Sequence, residues 1–178
     1  MTHWIITDTH FGHDKCIEYS GRPKEFATLL LNRLEAVCRT TDILIHLGDV
    51  CIGDDAFWHK KLSEVAPFNQ WLIRGNHDSK SDSWYLSHGW TCVVDQLRFK
   101  KFGADVLFSH RPQADSGYDL NIHGHFHNSN HRRHESELVA VKNDKQLLVM
   151  VEHEYRPYSL QKLIEGRSKK SPQEPKTT

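Results

Sequence analysis

Three histidines stand at alternate positions in the segment LNIHGHFHNS, residues 120–129: His123, His125 and His127. A strand sends alternate side chains to one face, so the three imidazoles could converge on one point and serve as metal ligands. A polar strand end carrying solvated histidines would have the same spacing. Four other segments also close an apolar run with residues of ligand type. Asp8 and His10 follow HWIIT, Asp49 follows ILIHL, Asn76, His77 and Asp78 follow NQWLI, and His110 follows DVLF. Taken singly, each reads as readily as a strand exit or a turn, because Asn, Asp and Gly are common turn residues. Five such ends in one chain point to a shared metal site, since α/β sheets gather ligands beyond the carboxyl ends of their strands.

The elements that must carry these residues follow from hydrophobic periodicity. Residues 3–7, 42–50 and 69–78 read as buried strands with polar ends. Residues 25–38 place Phe26, Leu29, Leu30, Leu34 and Val37 at helical spacing, and 54–66 read as a second helix with an acidic start. A short helix is expected over 81–89, and strands on either side of a turn near Gly103 over 91–110. A strand over 119–127 carries the alternating histidines, and a hairpin around Asn143 and Asp144 joins 137–144 to 145–155. A last helix falls over 157–166, and the polar segment 167–178 reads as a disordered tail. Early strands alternate with helices and later ones follow each other directly, which predicts an α/β fold with mixed sheets, not a purely parallel one.

Bulk properties narrow the function classes. The 178 residues suit one domain, and 23 basic against 23 acidic residues exert no net pull towards nucleic acid or an anionic membrane. The 14 histidines favour metal or proton chemistry. Cys16, Cys38, Cys51 and Cys92 are scattered, with no C-x-x-C pair, so neither a zinc ribbon nor a disulfide framework is expected. The opening MTHWIITDTH has no basic and apolar leader, and no stretch approaches the roughly 20 apolar residues of a membrane span. A cytoplasmic location follows as the expectation. No pattern marks a protein partner, although Trp84 and Tyr85 read as exposed aromatics that could sit in an interface.

The ordered series D-x-H, G-D, G-N-H-D, H and G-H-x-H, running from Asp8 to His127, resembles the calcineurin-like metallophosphoesterase superfamily. That resemblance implies a four-layer α/β/β/α sandwich with two mixed β-sheets, formed here by a single domain over 1–166, with two metal ions at the sheet ends. Asp8, His10 and His127 would bind one ion, Asn76, His110 and His125 the other, and Asp49 would bridge them. His77 and Asp78 would be the catalytic pair. Such a mixture of carboxylate, amide and imidazole suits Mn²⁺ first, with Fe, Zn²⁺ or Ni²⁺ as alternatives. Two metals about 3.5–4 Å apart can acidify a bridging water for in-line attack on phosphorus. His77 would then assist the leaving alkoxide, oriented by Asp78.

The implied activity is phosphodiester hydrolysis of a nucleotide, cyclic nucleotide or oligonucleotide end. A phosphomonoesterase on the same site is the alternative. A non-catalytic binding module, as in the retromer subunit that keeps this fold, is set against by the retained His77. The chain lacks the D-R-G that follows the bridging aspartate in protein serine/threonine phosphatases. DTHFG is similar to the nuclease branch, which is longer and carries a capping domain. DTHFGH and YRPYSL look most like small single-domain bacterial and phage phosphoesterases. His13 could contact phosphate or sit in a surface loop. Arg22 could meet an anionic substrate or pair with a carboxylate. His123 could bond a ligand residue or be a buried structural histidine. The HRRH run at 131–134 could line the cleft or be solvated.

Overall fold

The computed structural model describes residues 1–67, 69–114, 116–127 and 144–168. Its first sheet consists of β1 (His3–Ile6), β2 (Ile43–His46), β3 (Asn69–Ile73), β4 (Cys92–Val94) and β9 (Tyr158–Ser159), in the order β4-β3-β2-β1-β9. The first four are parallel, and β9 lies antiparallel to β1 with Trp4 opposite Ser159. The second sheet is β5 (Gln96–Lys101), β6 (Ala104–Ser109), β7 (Leu120–His123) and β8 (Gln146–Leu148), in that order. Here β5 and β6 are antiparallel, while β6, β7 and β8 run parallel. These are the mixed sheets that the element order predicts and the two-sheet α/β architecture that the family resemblance implies.

Strand alternation builds two cores on the first sheet. Ile6, Leu44 and Leu72 face one way, against Phe26, Leu30 and Leu34 of α2 (Phe26–Val37), Leu62 of α3 (Asp55–Val65) and Tyr85 of α4 (Asp82–Ser87). Ile5, Ile43, Ile45 and Ile73 face the other way, against Val106, Phe108, Leu120 and Ile122 of the second sheet. Leu160 and Ile164 of the closing helix, α5 (Leu160–Ser168), join this second core. Burial on both faces is why these strands read as continuous apolar runs without alternation. Side chains cap helix starts: Asp54 accepts from the Phe57 N–H at 3.0 Å and Ser81 from the Trp84 N–H at 3.3 Å.

Several expectations need correction. A short helix, α1 (Lys15–Ser20), precedes the first expected one, and β9 inserts before α5. The strand expected over 145–155 is only β8, followed by a 3-10 helix over Val151–His153. That turn buries Val151 and swings Glu152 inwards. α5 runs into the segment expected as a tail. Residues 169–178, the HRRH run and the first strand of the proposed hairpin lie outside the described residues. Tyr85 is buried in the helix-side core rather than exposed.

One buried carboxylate ties the two central strands together. Asp42 accepts from the Thr2 N–H at 2.7 Å, Trp4 Nε1–H at 3.0 Å and the Arg39 N–H at 3.1 Å. Burial alone would push its carboxyl up, but these three donors hold it below the usual carboxylate range. A value depressed in the folded state gives stabilisation that is present above the unfolded value of about 3.9 and is lost as pH falls through the folded value. The stability difference between the wild type and Asp42→Asn should therefore be largest near neutrality and shrink below about pH 4. Urea unfolding of both proteins from pH 7 to pH 3 checks it.

Candidate metal centre

Because β1, β2 and β3 run parallel, as do β6 and β7, their carboxyl ends deliver every candidate ligand to one edge of the sandwich. Strand geometry stops short of them: β1 ends at Ile6 and β7 at His123. Asp8, His10, Asp49, His125 and His127 instead hold left-handed backbone, with φ of 49°, 46°, 58°, 74° and 48°. Such conformations are uncommon outside glycine, and Asp and His are among the residues that tolerate them best. Left-handed turns, not simple strand alternation, aim these side chains inwards. Parallel pairing nonetheless continues past the strands, with the Asp8 N–H donating to the Gly48 carbonyl at 2.9 Å and the His10 N–H to the Asp49 carbonyl at 3.0 Å. Glycine is required where the turns touch. A Cβ on Gly48 would land on the backbone of Gly75, and one on Gly124 would land on Thr7 Oγ1 and Asp8 Oδ2.

Two groups of donor atoms result. In the first, His10 Nε2 lies 3.2 Å from His127 Nε2, and Asp8 Oδ1 lies 3.9 Å from the former and 3.5 Å from the latter. In the second, His110 Nε2 lies 3.1 Å from both Asn76 Oδ1 and His125 Nδ1. Asp49 stands between them, its Oδ2 3.6 Å from His10 Nε2 and 3.4 Å from His110 Nε2. Ligand atoms about 2.0–2.2 Å from a common ion sit at comparable mutual spacings.

The carboxylates bear the marks of a cation site. Asp8 Oδ2 accepts from Thr7 Oγ1–H and, at 2.9 Å, from the His125 N–H, whereas the buried Oδ1 facing the two imidazoles has no hydrogen-bond donor. Burial would raise the Asp8 carboxyl, but the surrounding imidazoles hold it well below the usual range. Asp49 moves the opposite way: burial, reinforced by the nearby Asp8 and Asp78 carboxylates, pushes it up to about 6. Two buried carboxylates crowded in this way are relieved by a divalent ion, so the residues present fit one.

The other expected site residues are placed differently from one another. His77 lies at the mouth, its side chain 40% exposed and its Nε2 4.0 Å from Asp49 Oδ2. Its main-chain N–H donates to Asp49 Oδ1 at 2.9 Å. Asp78 does not orient His77. Its carboxylate turns under the loop and accepts from the N–H groups of Asp49 (2.7 Å), Gly75 (2.8 Å) and Val50 (3.1 Å), fixing the backbone that carries Asp49. Arg22 is not a substrate contact either. It is fully buried and takes the other reading, a carboxylate pair with Glu152 at 2.6 Å. His13 lies beside His10 with the rings tilted at 55° and their centroids 5.5 Å apart, and its Nδ1 is 3.2 Å from Cys16 Sγ. These three residues form a further group whose ligand atoms lie within 4.8 Å of each other. His123 is wholly buried, bonds its own neighbour's carbonyl at Gly124 and touches no candidate ligand by hydrogen bond.

Two residues with no motif prove central. Glu152 Oε1 accepts from His127 Nδ1–H at 2.8 Å as well as from Arg22. His46, buried among the strands, accepts the Gly48 N–H on Nδ1 (3.1 Å) and donates Nε2–H to Thr9 Oγ1 (2.9 Å), whose hydroxyl passes on to the Val50 carbonyl. Burial pushes His46 down to about 3, so it stays neutral and links both ligand loops. In the sequence it is one more apolar-strand residue, and Glu152 is a charge in a surface-like run.

A cavity of about 220 Å³ adjoins the second group, lined by Arg74, Asn76, Asp95, His110, Arg111 and Gln113. A larger one, about 290 Å³, lies under Trp4, Tyr158 and Leu163 and contains none of the candidate ligands.

With this geometry in hand, comparison with known proteins is specific. The profile of the calcineurin-like phosphoesterases matches residues 1–171. An uncharacterized protein of Methanocaldococcus jannaschii is 29% identical over 170 residues, covering 90% of this chain and 88% of its own length. A crystal structure of a protein of unknown function from Aquifex aeolicus aligns with a TM-score of 0.73 at 24% identity, over 92% of this chain and 98% of its own; that likeness concerns the fold alone.

Since Asp78 holds three backbone donors, its replacement by Asn, which offers one acceptor oxygen and places an N–H₂ against N–H groups, should lower stability by at least about 2 kcal/mol. Urea unfolding at neutral pH measures this. An unchanged midpoint would mean that the clamp contributes little.

Proposed function

The chain belongs to the calcineurin-like phosphoesterase family, and on that premise we propose that it is a dinuclear-metal phosphodiesterase acting on nucleotide-type substrates. Asp8, His10 and His127 would hold one divalent ion, Asn76, His110 and His125 the other, with Asp49 shared. The observation that carries this reading is the position of Asp49 Oδ2, 3.6 Å from an imidazole of one group and 3.4 Å from an imidazole of the other. Hard carboxylate and amide oxygens mixed with imidazoles suit Mn²⁺, and Fe, Zn²⁺ or Ni²⁺ also fit. When bound, a pair of such ions supplies neutralisation of the phosphoryl oxygens and acidification of a water molecule.

The chain's own groups do the rest. His77 has both the exposure to meet a substrate and a tether to the shared carboxylate, through its main-chain N–H to Asp49 Oδ1. From there the imidazole can pass a proton to the leaving alkoxide oxygen. Asp78 acts by holding the Asp49 loop rigid, not by touching substrate. The cavity beside Asn76 and His110 has room for one ester substituent, which a diester and a monoester both carry. It is smaller than the roughly 300–1,000 Å³ of a drug-sized pocket, and Arg74 in its wall is paired with Asp82 and Asp95.

Metal-stripped protein assayed on bis(p-nitrophenyl) phosphate and on p-nitrophenyl phosphate, with and without Mn²⁺, tests the reading. Mn²⁺-dependent turnover faster on the diester is expected. Faster monoester turnover would move the chain to the phosphomonoesterases, and no turnover on either substrate would leave a binding role. His77→Ala should lower kcat by roughly 10² to 10⁴ while elemental analysis finds the bound metal unchanged.

A further inference from the structure

Glu152 reaches the site from a 3-10 turn far along the chain, outside every metal-binding motif in the sequence. Its Oε1 accepts three N–H groups: His127 Nδ1 at 2.8 Å, Arg22 Nη2 at 2.6 Å and Arg22 Nε at 3.0 Å. Arg22 also donates to the main-chain carbonyls of Asp8 at 2.6 Å and Thr9 at 2.8 Å. The Arg22 and Glu152 side chains are 0% and 3% exposed. The buried pair therefore grips the β1 loop through its backbone and the β7 loop through a histidine ring.

This contact decides which nitrogen of His127 carries the proton. A carboxylate oxygen can only accept, so at 2.8 Å Nδ1 must hold the hydrogen. The weaker approach of Arg22 Nη2 to the same nitrogen, at 3.4 Å, would require the opposite tautomer and is the poorer bond. That leaves Nε2 as the ring nitrogen turned towards His10 Nε2 and Asp8 Oδ1. The second donor group is built differently. His110 donates Nδ1–H to the neutral Leu47 carbonyl at 2.8 Å, with no charge behind it.

We infer that Glu152, held by Arg22, is a positioning residue for one half of the metal centre: it holds His127 through Nδ1 with Nε2 directed at Asp8 and His10, so that ion affinity at that half alone depends on residue 152. The inference rests on Asp8, His10 and His127 being metal ligands, as proposed above. A carboxylate behind a ligand histidine makes the ring a stronger donor and locks its orientation, and losing such a partner costs about 10- to 100-fold in metal affinity. Gln keeps the size of Glu152 and one acceptor oxygen but removes the charge, and so separates this role from simple packing.

The test uses the full chain stripped of metal and titrated with Mn²⁺ by calorimetry and with Co²⁺ by visible absorbance. In wild type, two ions should bind. In Glu152→Gln, one ion should weaken by about 10- to 100-fold while the other keeps its affinity and Co²⁺ spectrum. Two ions bound with wild-type affinity would overturn the inference and leave the metal reading standing. Equal weakening of both ions would also overturn it, since that is the signature of a merely structural ion pair. A wild type that binds no ion would overturn the metal reading and this inference together. Nitrogen-15 spectra of the histidines in metal-free wild type give an answer that needs no variant to fold. His127 protonated on Nδ1 is expected, and an Nδ1 without a proton would overturn the inference.

Discussion

Two carboxylates, those of Asp8 and Asp49, are buried within 4 Å of one imidazole nitrogen, His10 Nε2. Like charges brought together out of water repel and lose their hydration. The surrounding architecture offsets this one oxygen at a time. Asp8 Oδ2 has Thr7 and the His125 N–H, and Asp49 Oδ1 has the His77 N–H. The oxygens left over, Asp8 Oδ1 and Asp49 Oδ2, face imidazoles and nothing better. The opposite shifts of the two carboxyls express an electrostatic tension that divalent cations resolve.

Holding those groups in place requires backbone that no regular element supplies. Five of the inward-facing residues sit at positive φ, at about 1–2 kcal/mol each for an L-residue. Strain of that size persists only where neighbouring structure over-determines the conformation. Here the supports are concrete. Asp78 takes three N–H groups from the Asp49 and Gly75 loops, and neutral His46 spans the Gly48 and Thr9 loops. The apolar cores on both faces of β1, β2 and β3 keep the platform below from yielding.

The second sheet makes the site a shared product of two layers. β6 and β7 bring His110, His125 and His127 up to the loops of β1, β2 and β3, and the Gly124 N–H donates to the His110 carbonyl at 3.0 Å to hold them together. Gly124 must lack a side chain for its loop to lie on Thr7 and Asp8. On the outer side, the Arg22–Glu152 pair bonds the loops of both sheets, so the two layers are fastened by charge as well as by apolar contact. The centre is thus an interface between sheets, and its geometry depends on how they pack.

Much of this was legible in the sequence. Apolar runs ending in Asp, His and Asn specify strands with residues of ligand type at their carboxyl ends, and parallel connection through helices sends those ends to one edge. Local periodicity and motif order therefore determine the fold class and which residues gather. They do not determine what each gathered residue does. The family resemblance makes Asp78 the partner of His77, but its carboxylate takes the backbone N–H groups of Asp49, Val50 and Gly75 instead. Arg22 and Glu152 are separated by most of the chain, and only the packing of two sheets makes a buried pair of them. His46 was indistinguishable from any other strand residue until burial left its two nitrogens one partner each. Residue type and period decide what can act on a strand end, because those are local properties of the chain. Hydrogen-bond partners, tautomers and charge balance are decided by contacts between distant segments, and only the tertiary structure fixes those.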